Sequence, residues 1–242
     1  MILEDTIDNH AKLIGWQIAD AIETKRQTNE HLVLGLATGS TPIPLYRELV
    51  RLHREANISF ENVYTFNLDE YCGLAEDHEE SYNYFMHHHL FDHIDIPKEN
   101  IFIPQGEVET IFLKDYCVGY EKHIQELGGI DIQILGIGRS GHIGFNEPGS
   151  SRASITRKVE LHDVTKRDAA PSFGGFDYVP THAITMGMKT ILSAKQIIFM
   201  AFGEAKQEIT KKAILGEITN DIPASFLQQH SNVTYCVDFN IE

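Results

Sequence analysis

The stretch HLVLGLATGSTPIPLYREL, residues 31–49, decides the fold class. From Leu32 to Ala37 the chain is apolar or glycine at every position, a pattern a strand tolerates only where both its faces are covered. The run breaks at Thr38-Gly39-Ser40-Thr41-Pro42. From Ile43 onward apolar residues recur at helical spacing, and Pro42 suits a first helical position. A buried strand, a short turn and a helix together open a βα unit of a parallel sheet.

The same grammar recurs outward from this stretch. Upstream, residues 5–26 place Ile7, Leu13, Ile14, Ile18 and Ile22 on one helical face. Downstream, 61–71 (ENVYTFNLDEY) predicts a second strand, 80–94 a helix, 96–104 a return to the sheet, and 113–127 a helix closed by Gly128-Gly129. Residues 131–138 (DIQILGIG) form another buried-strand pattern, followed by a long irregular stretch. A strand at 195–202, a helix over 203–215 and a closing strand at 232–239 complete the chain. No repeat, low-complexity tract or Pro/Gly linker interrupts the alternation. The expectation is one α/β domain over 1–242, doubly wound and Rossmann-like, with a mostly parallel sheet. Such sheets bind ligands beyond the carboxyl ends of their strands, which singles out the loops 37–42, 67–74, 136–150 and 202–206.

Composition narrows the partners. Of 242 residues, 42% are hydrophobic and 23% charged, ordinary globular usage. No apolar run reaches the ~20 residues of a membrane span, and MILEDTIDNH lacks the basic and apolar regions of a signal peptide. The expectation is a soluble cytoplasmic protein with no membrane partner. Lys plus Arg number 20 and Asp plus Glu 35, a net charge of −15. Such a surface repels nucleic acid, so an anionic ligand has to be drawn in by local devices such as helix N-termini and placed cations. Cys72, Cys117 and Cys236 are an odd set without CxxC spacing, which argues for reduced thiols rather than zinc or disulfides.

Four loops could carry chemistry. Thr38, Gly39, Ser40 and Thr41 join a strand to a helix, either as an ordinary Ser/Thr-capped turn or as an anion cradle of backbone N–H groups and hydroxyls. Gly136-Ile137-Gly138-Arg139-Ser140-Gly141 matches GxGxxG, but Asn146, Pro148 and Gly149 break any helix that dinucleotide binding would need there. The loop instead offers His142 and Glu147, a proton acceptor with a carboxylate to orient it. Asp69 and Glu70 end a strand, and alternation sends at most one of them into a cleft, where it could remove a proton α to a carbonyl or imine. Lys206, on the first turn of a helix after a strand, could supply a cation. His87, His88 and His89 point about 100° apart on a helix and cannot converge on one ion, and His89 with His93 lacks a third ligand, so no metal is expected.

In combination these loops resemble the glucosamine-6-phosphate deaminase/isomerase family. The matching stretches are 34–49, TFNLDEYCGL (65–74), ESYNYFMHHHLFDHIDIP (80–97), ILGIGRSGHIGFNEPGS (134–150), VPTHAITMG (179–187), FGEAKQ (202–207) and IPASFLQQH (222–230). They cover most of the chain from about residue 30 in the family's order. Phosphogluconolactonases share the fold but differ from the DEY and NEPG patterns. The resemblance implies conversion of a 2-amino-2-deoxyhexose 6-phosphate to the 2-ketose 6-phosphate and ammonia, without metal or organic cofactor. It casts His142 as the base that opens the sugar ring, Glu147 as its orienting carboxylate, and Asp69 as the base at C2. Thr38, Gly39, Ser40, Thr41 and Lys206 would hold the phosphate.

Three departures from the family pattern stand out. Ser140 occupies the place of an Asp or Asn two residues before the loop histidine. The phosphate-binding Arg of the family's Asn-Ser/Ala-Arg-Phe-Phe stretch is missing from Ala169-Ala170-Pro171-Ser172-Phe173, leaving Lys166 or Arg167 as candidate replacements. The chain ends at Glu242, without the C-terminal extension of the allosteric hexameric members, which implies a monomer or small homo-oligomer. The first two departures point toward galactosamine 6-phosphate as substrate. The rival reading, a non-catalytic sugar-phosphate sensor, would call for a basic DNA-binding segment that is not read here.

Overall fold

A computed structural model describes residues 1–241. Seven strands form one wholly parallel sheet: β1 (Ile2–Glu4), β2 (Leu32–Leu36), β3 (Val63–Asn67), β5 (Ile101–Phe102), β6 (Ile132–Leu135), β9 (Gln196–Ala201) and β10 (Val233–Val237). Their order across the sheet is β1-β10-β9-β6-β2-β3-β5, with parallel pairing throughout. From β2 the chain steps outward through β3 to β5, then returns to lay β6 on the other side of β2. The strand order therefore reverses between β2 and β6, and a crevice opens there beyond their carboxyl ends.

Helices cover both faces, as the doubly wound expectation requires. α1 (Ile7–Gln27) begins where the Thr6 hydroxyl accepts the Asn9 N–H at 3.3 Å, with Asp8 in its first turn and Lys25 and Arg26 in its last. It buries Ile14, Ile18 and Ile22, one i, i+4 stripe, against β2. With α2 (Ile43–Ala56) and α3 (Tyr82–His89) it covers the face formed by Leu32, Leu34, Leu36, Ile132, Ile134 and Ile198. The alternate residues Val33, Leu135, Ile197 and Phe199 pack on the other face. There they meet α4 (Leu113–Glu126), α6 (Met188–Ile191) and α7 (Gln207–Leu215). Each fully buried aliphatic side chain contributes ~1.5–3 kcal/mol, so Ile18→Ala alone would cost ~2–5 kcal/mol.

The structure corrects three sequence expectations. The 61–71 run is two strands, because the chain turns at Leu68 and leaves the main sheet. β4 (Asp69–Tyr71) belongs to a separate antiparallel sheet of order β4-β8-β7, with β7 (Arg157–Glu160) and β8 (His182–Thr185). The stretch read as irregular thus contains two strands, as well as α5 (Asp163–Ala169) and α6. Lastly, α2 starts at Ile43, so Pro42 is its cap rather than its first residue.

The His89–His93 pair does not assemble a site. The His93 Nε2 lies 2.9 Å from the His88 carbonyl and its Nδ1 3.2 Å from Arg54 Nη2, while the His89 ring packs on Phe85. No described helix is long and apolar enough to cross a membrane.

Candidate active site

A cavity of about 300 Å3 fills the crevice between β2 and β6. Each of the loops at strand carboxyl ends contributes to it. Thr38, Gly39, Ser40 and Thr41 come from the β2–α2 turn, Asp69 from β4, Gly136 to His142 from the loop after β6, and Lys206 from the turn after β9. Asp69 and His142, 73 residues apart by their numbers, face the same cavity. Glu147 stands behind His142 rather than in the cavity wall.

Asp69 reaches the cavity because β4 pairs antiparallel with β8, with Asp69 opposite Thr185. Its carboxylate is 95% buried from solvent by residue exposure of 5% and lies against Gly144. A Cβ on Gly144 would come 2.9 Å from Asp69 Oδ2, and its φ of +56° already favours glycine. Burial pushes the Asp69 carboxyl well above its ordinary range, and the charge of Glu70 adds to the rise. The neighbouring Glu70 points the other way, as alternation requires. It accepts the backbone N–H groups of Tyr71, Tyr82 and Asn83 at 2.8–3.0 Å and so caps α3. Burial nevertheless pushes its carboxyl up to about 7.

The loop after β6 shows what its glycines are for. A Cβ on Gly138 would sit 1.8 Å from His142 Nε2, so Gly138 makes room for an imidazole and not for a pyrophosphate. On the far side of the ring, Nδ1 lies 2.8 Å from Ser140 Oγ and 3.4 Å from Glu147 Oε2, and the serine hydroxyl is 3.5 Å from the same carboxylate. One arrangement accounts for all three: Nδ1–H is shared between Ser140 Oγ and Glu147 Oε2, and the serine hydroxyl donates to the same carboxylate. That leaves Nε2 as the basic nitrogen. Thr165 of α5 donates its hydroxyl to the other oxygen of Glu147. Burial pushes the Glu147 carboxyl up, but the hydrogen bonds from His142 and Thr165 and the nearby His142 and His162 rings outweigh it and hold the carboxyl below its ordinary value.

Sequence reasoning did not single out the residues that brace this loop. The Asn146 amide, fully buried, donates to the Ile143 and Met186 carbonyls at 2.9 and 2.8 Å and accepts from Arg157 at 2.9 Å. Thr185 Oγ1 accepts the Phe145 N–H at 3.1 Å. The stretches NEPG and HAIT carried these residues, but only the small sheet brings them together. Tyr82 also lines the cavity, with its hydroxyl bonded to Thr38 and Tyr71.

The 38–41 turn also lines the cavity, just ahead of α2, whose Pro42 cap makes no side-chain hydrogen bond. Lys206 sits in a short 3-10 turn that precedes α7, not on the helix itself as the spacing predicted. Its ammonium donates to the Ile137 carbonyl at 3.0 Å, and burial lowers its pKa. Lys166 and Arg167, the sequence candidates for the missing phosphate cation, do not line the cavity: both lie over the Phe176 ring, at 4.2 and 5.8 Å. Arg139 does line it, paired with Asp168 of α5. Among the described residues no group of three or more His, Cys, Asp or Glu side chains is arranged to hold a metal ion.

Comparison with known proteins gives the family. The model of the family described as glucosamine-6-phosphate isomerases/6-phosphogluconolactonase matches residues 5–236. A glucosamine-6-phosphate deaminase of Clostridium perfringens is 43% identical over 238 residues, which cover 98% of this chain and 96% of that one. Another from Oceanobacillus iheyensis is 48% identical over 217 residues, or 90% and 86% of the two chains. The solved structure of a monomeric glucosamine-6-phosphate deaminase superposes with a TM-score of 0.92 at 44% identity, covering 100% of this chain and 97% of that one. The 6-phosphogluconolactonase of Trypanosoma brucei, at 22% identity and a TM-score of 0.76, shares the fold. The chain belongs to the glucosamine-6-phosphate isomerase/6-phosphogluconolactonase family.

Proposed function

We propose that this protein is a glucosamine-6-phosphate deaminase, converting its substrate and water to fructose 6-phosphate and ammonia. The reading rests on one observation: a buried carboxylate and an imidazole share a cavity with a backbone anion cradle. The 38–41 turn and Lys206 hold the phosphate, which places C1 and C2 of the sugar between His142 and Asp69. His142 Nε2 takes the proton from the anomeric hydroxyl, the C1–O5 bond breaks, and the proton passes to the ring oxygen. Glu147, 3.4 Å from Nδ1, and the Ser140 hydroxyl stabilise the imidazolium formed in between.

Asp69 then takes the C2 proton to form the enolamine and returns it to C1, leaving an imine at C2. Burial raises the basicity of this carboxylate, which suits proton abstraction from carbon. Water adds to the imine carbon and ammonia leaves. The net reaction cleaves a C–N bond with water, which makes the enzyme a hydrolase by its balance. The amine and carbonyl of the substrate stabilise each intermediate, and no step calls on a cofactor.

A second substrate, the galacto epimer, is favoured by the departures near the cavity. Arg139 and Ser140 belong to the altered 139–141 segment, and Asp168 to the altered 166–173 segment. Ammonia release measured from both amino-sugar phosphates decides between them. We expect glucosamine 6-phosphate to be turned over with the higher kcat/KM. The reverse order would move the assignment to the epimer, and no ammonia from either would overturn the deaminase reading.

A further inference from the structure

We infer that Arg139 is the second cation of the anion end, and that Asp168 occupies its guanidinium until a phosphate displaces it. The identity of the phosphorylated ligand rests on the deaminase reading; the ion exchange rests on the cavity itself.

The cavity needs a second cation. A sugar phosphate brings a charge of about −1.5 to −2 into a protein of net charge −15. Lys206 alone meets it, with one N–H spent on Ile137 and its charged form disfavoured by burial. Lys166 and Arg167 are held over Phe176, and Arg157 is engaged by Asn146 and Ser150. Among the described residues, Arg139 is the one guanidinium in the cavity wall. It stands in the tight turn closed by the Gly141 N–H to Gly138 carbonyl bond, directly before His142. Both it and Asp168 lie close enough to Lys206 to act on its charge.

The partner makes the exchange possible. An unpaired Asp168 would repel a phosphate, but the salt bridge to Arg139 cancels its charge while the cavity is empty. The two side chains are 63% and 44% exposed, so water and salt screen the pair and little is lost when it opens. A phosphate offers the guanidinium fork a bidentate partner of higher charge, buried between the cradle and Lys206. The ligand therefore wins the competition by geometry and charge, and Asp168 sets how much it must win by.

Isothermal titration of the whole protein with inorganic phosphate tests this. Arg139→Ala should weaken phosphate binding by about tenfold or more, and Arg139→Lys by less, since a point charge replaces the fork. Asp168→Asn should tighten it by about two- to fivefold, the span of an exposed ion pair. Thermal unfolding of each variant confirms that it is folded. Wild-type phosphate affinity in Arg139→Ala, unchanged or weakened binding in Asp168→Asn, or no phosphate binding by the wild type each overturn the inference. Ammonia release by the wild type, measured alongside, reports separately on the deaminase reading.

Discussion

At one end of the cavity Asp69 and Glu147 are each only 5% exposed, while at the other Arg139 and Asp168 keep 63% and 44% of their side-chain surface in contact with solvent. The buried end is braced by the small antiparallel sheet and by hydroxyls from Thr165 and Thr185. The wet end is the 38–41 backbone turn and two exposed side chains, Arg139 from the loop after β6 and Asp168 from α5. Charges that must change protonation are kept dry, where burial and hydrogen bonds tune them. Charges that must only attract are left screened, where they can exchange partners. Substitutions at the two ends should accordingly separate turnover from affinity.

The largest effect is expected at Asp69. Asp69→Asn should lower kcat by about a thousandfold, within the ~10²–10⁴ range of a positioned base, with KM nearly unchanged. Steady-state ammonia assays measure this, and undiminished turnover would remove Asp69 from the chemistry. The same variant should be more heat-stable at neutral pH. Because burial raises the folded pKa of Asp69 above its ordinary value, the fold favours the protonated form and loses stability as pH rises through that pKa. Asparagine escapes this loss, so the variant's Tm should lie above that of the wild type at neutral pH.

Glu147→Gln comes next, with kcat reduced about a hundredfold as Ser140 and His142 lose the charge behind them. Here the linkage has the opposite sign. The folded pKa lies below the ordinary 4.5, so Glu147 stabilises the protein above that pH and the contribution fades as pH falls through the folded value. Denaturant midpoints measured from pH 7 downward should therefore fall less steeply in the variant; equal slopes would break the assignment.

The smallest effect is expected at the wet end. Lys206→Ala should raise KM for the sugar phosphate by about tenfold, as for loss of one charged hydrogen bond, and change kcat by less than about threefold. A kcat loss comparable to that of Asp69→Asn would erase the distinction between the two ends.

The parallel sheet was legible because its strands are buried on both faces and read as apolar runs, as in Leu32–Leu36 and residues 197–201. β1, of three residues, is too short to carry any period, whereas β5 falls within the 96–104 return to the sheet. The small sheet was hidden for another reason. Arg157–Glu160 alternates half-buried and exposed positions, and its partners lie more than 20 residues away in sequence, so nothing local marks it. Asp69, His142 and the 38–41 turn could be named because strand-end loops are where this architecture binds ligands. Asp168 could not, since it becomes visible only when α5 folds over the cavity and meets Arg139.

Thr185 has a consequence beyond its own two contacts. Its strand position faces Asp69, and its hydroxyl holds the backbone of Phe145, three residues past His142. A single threonine thus acts as a spacer bar between the two walls that carry the proton-handling groups. The gap those groups span, and with it the pair of adjacent carbons they can serve, is adjustable from a residue outside the cavity wall.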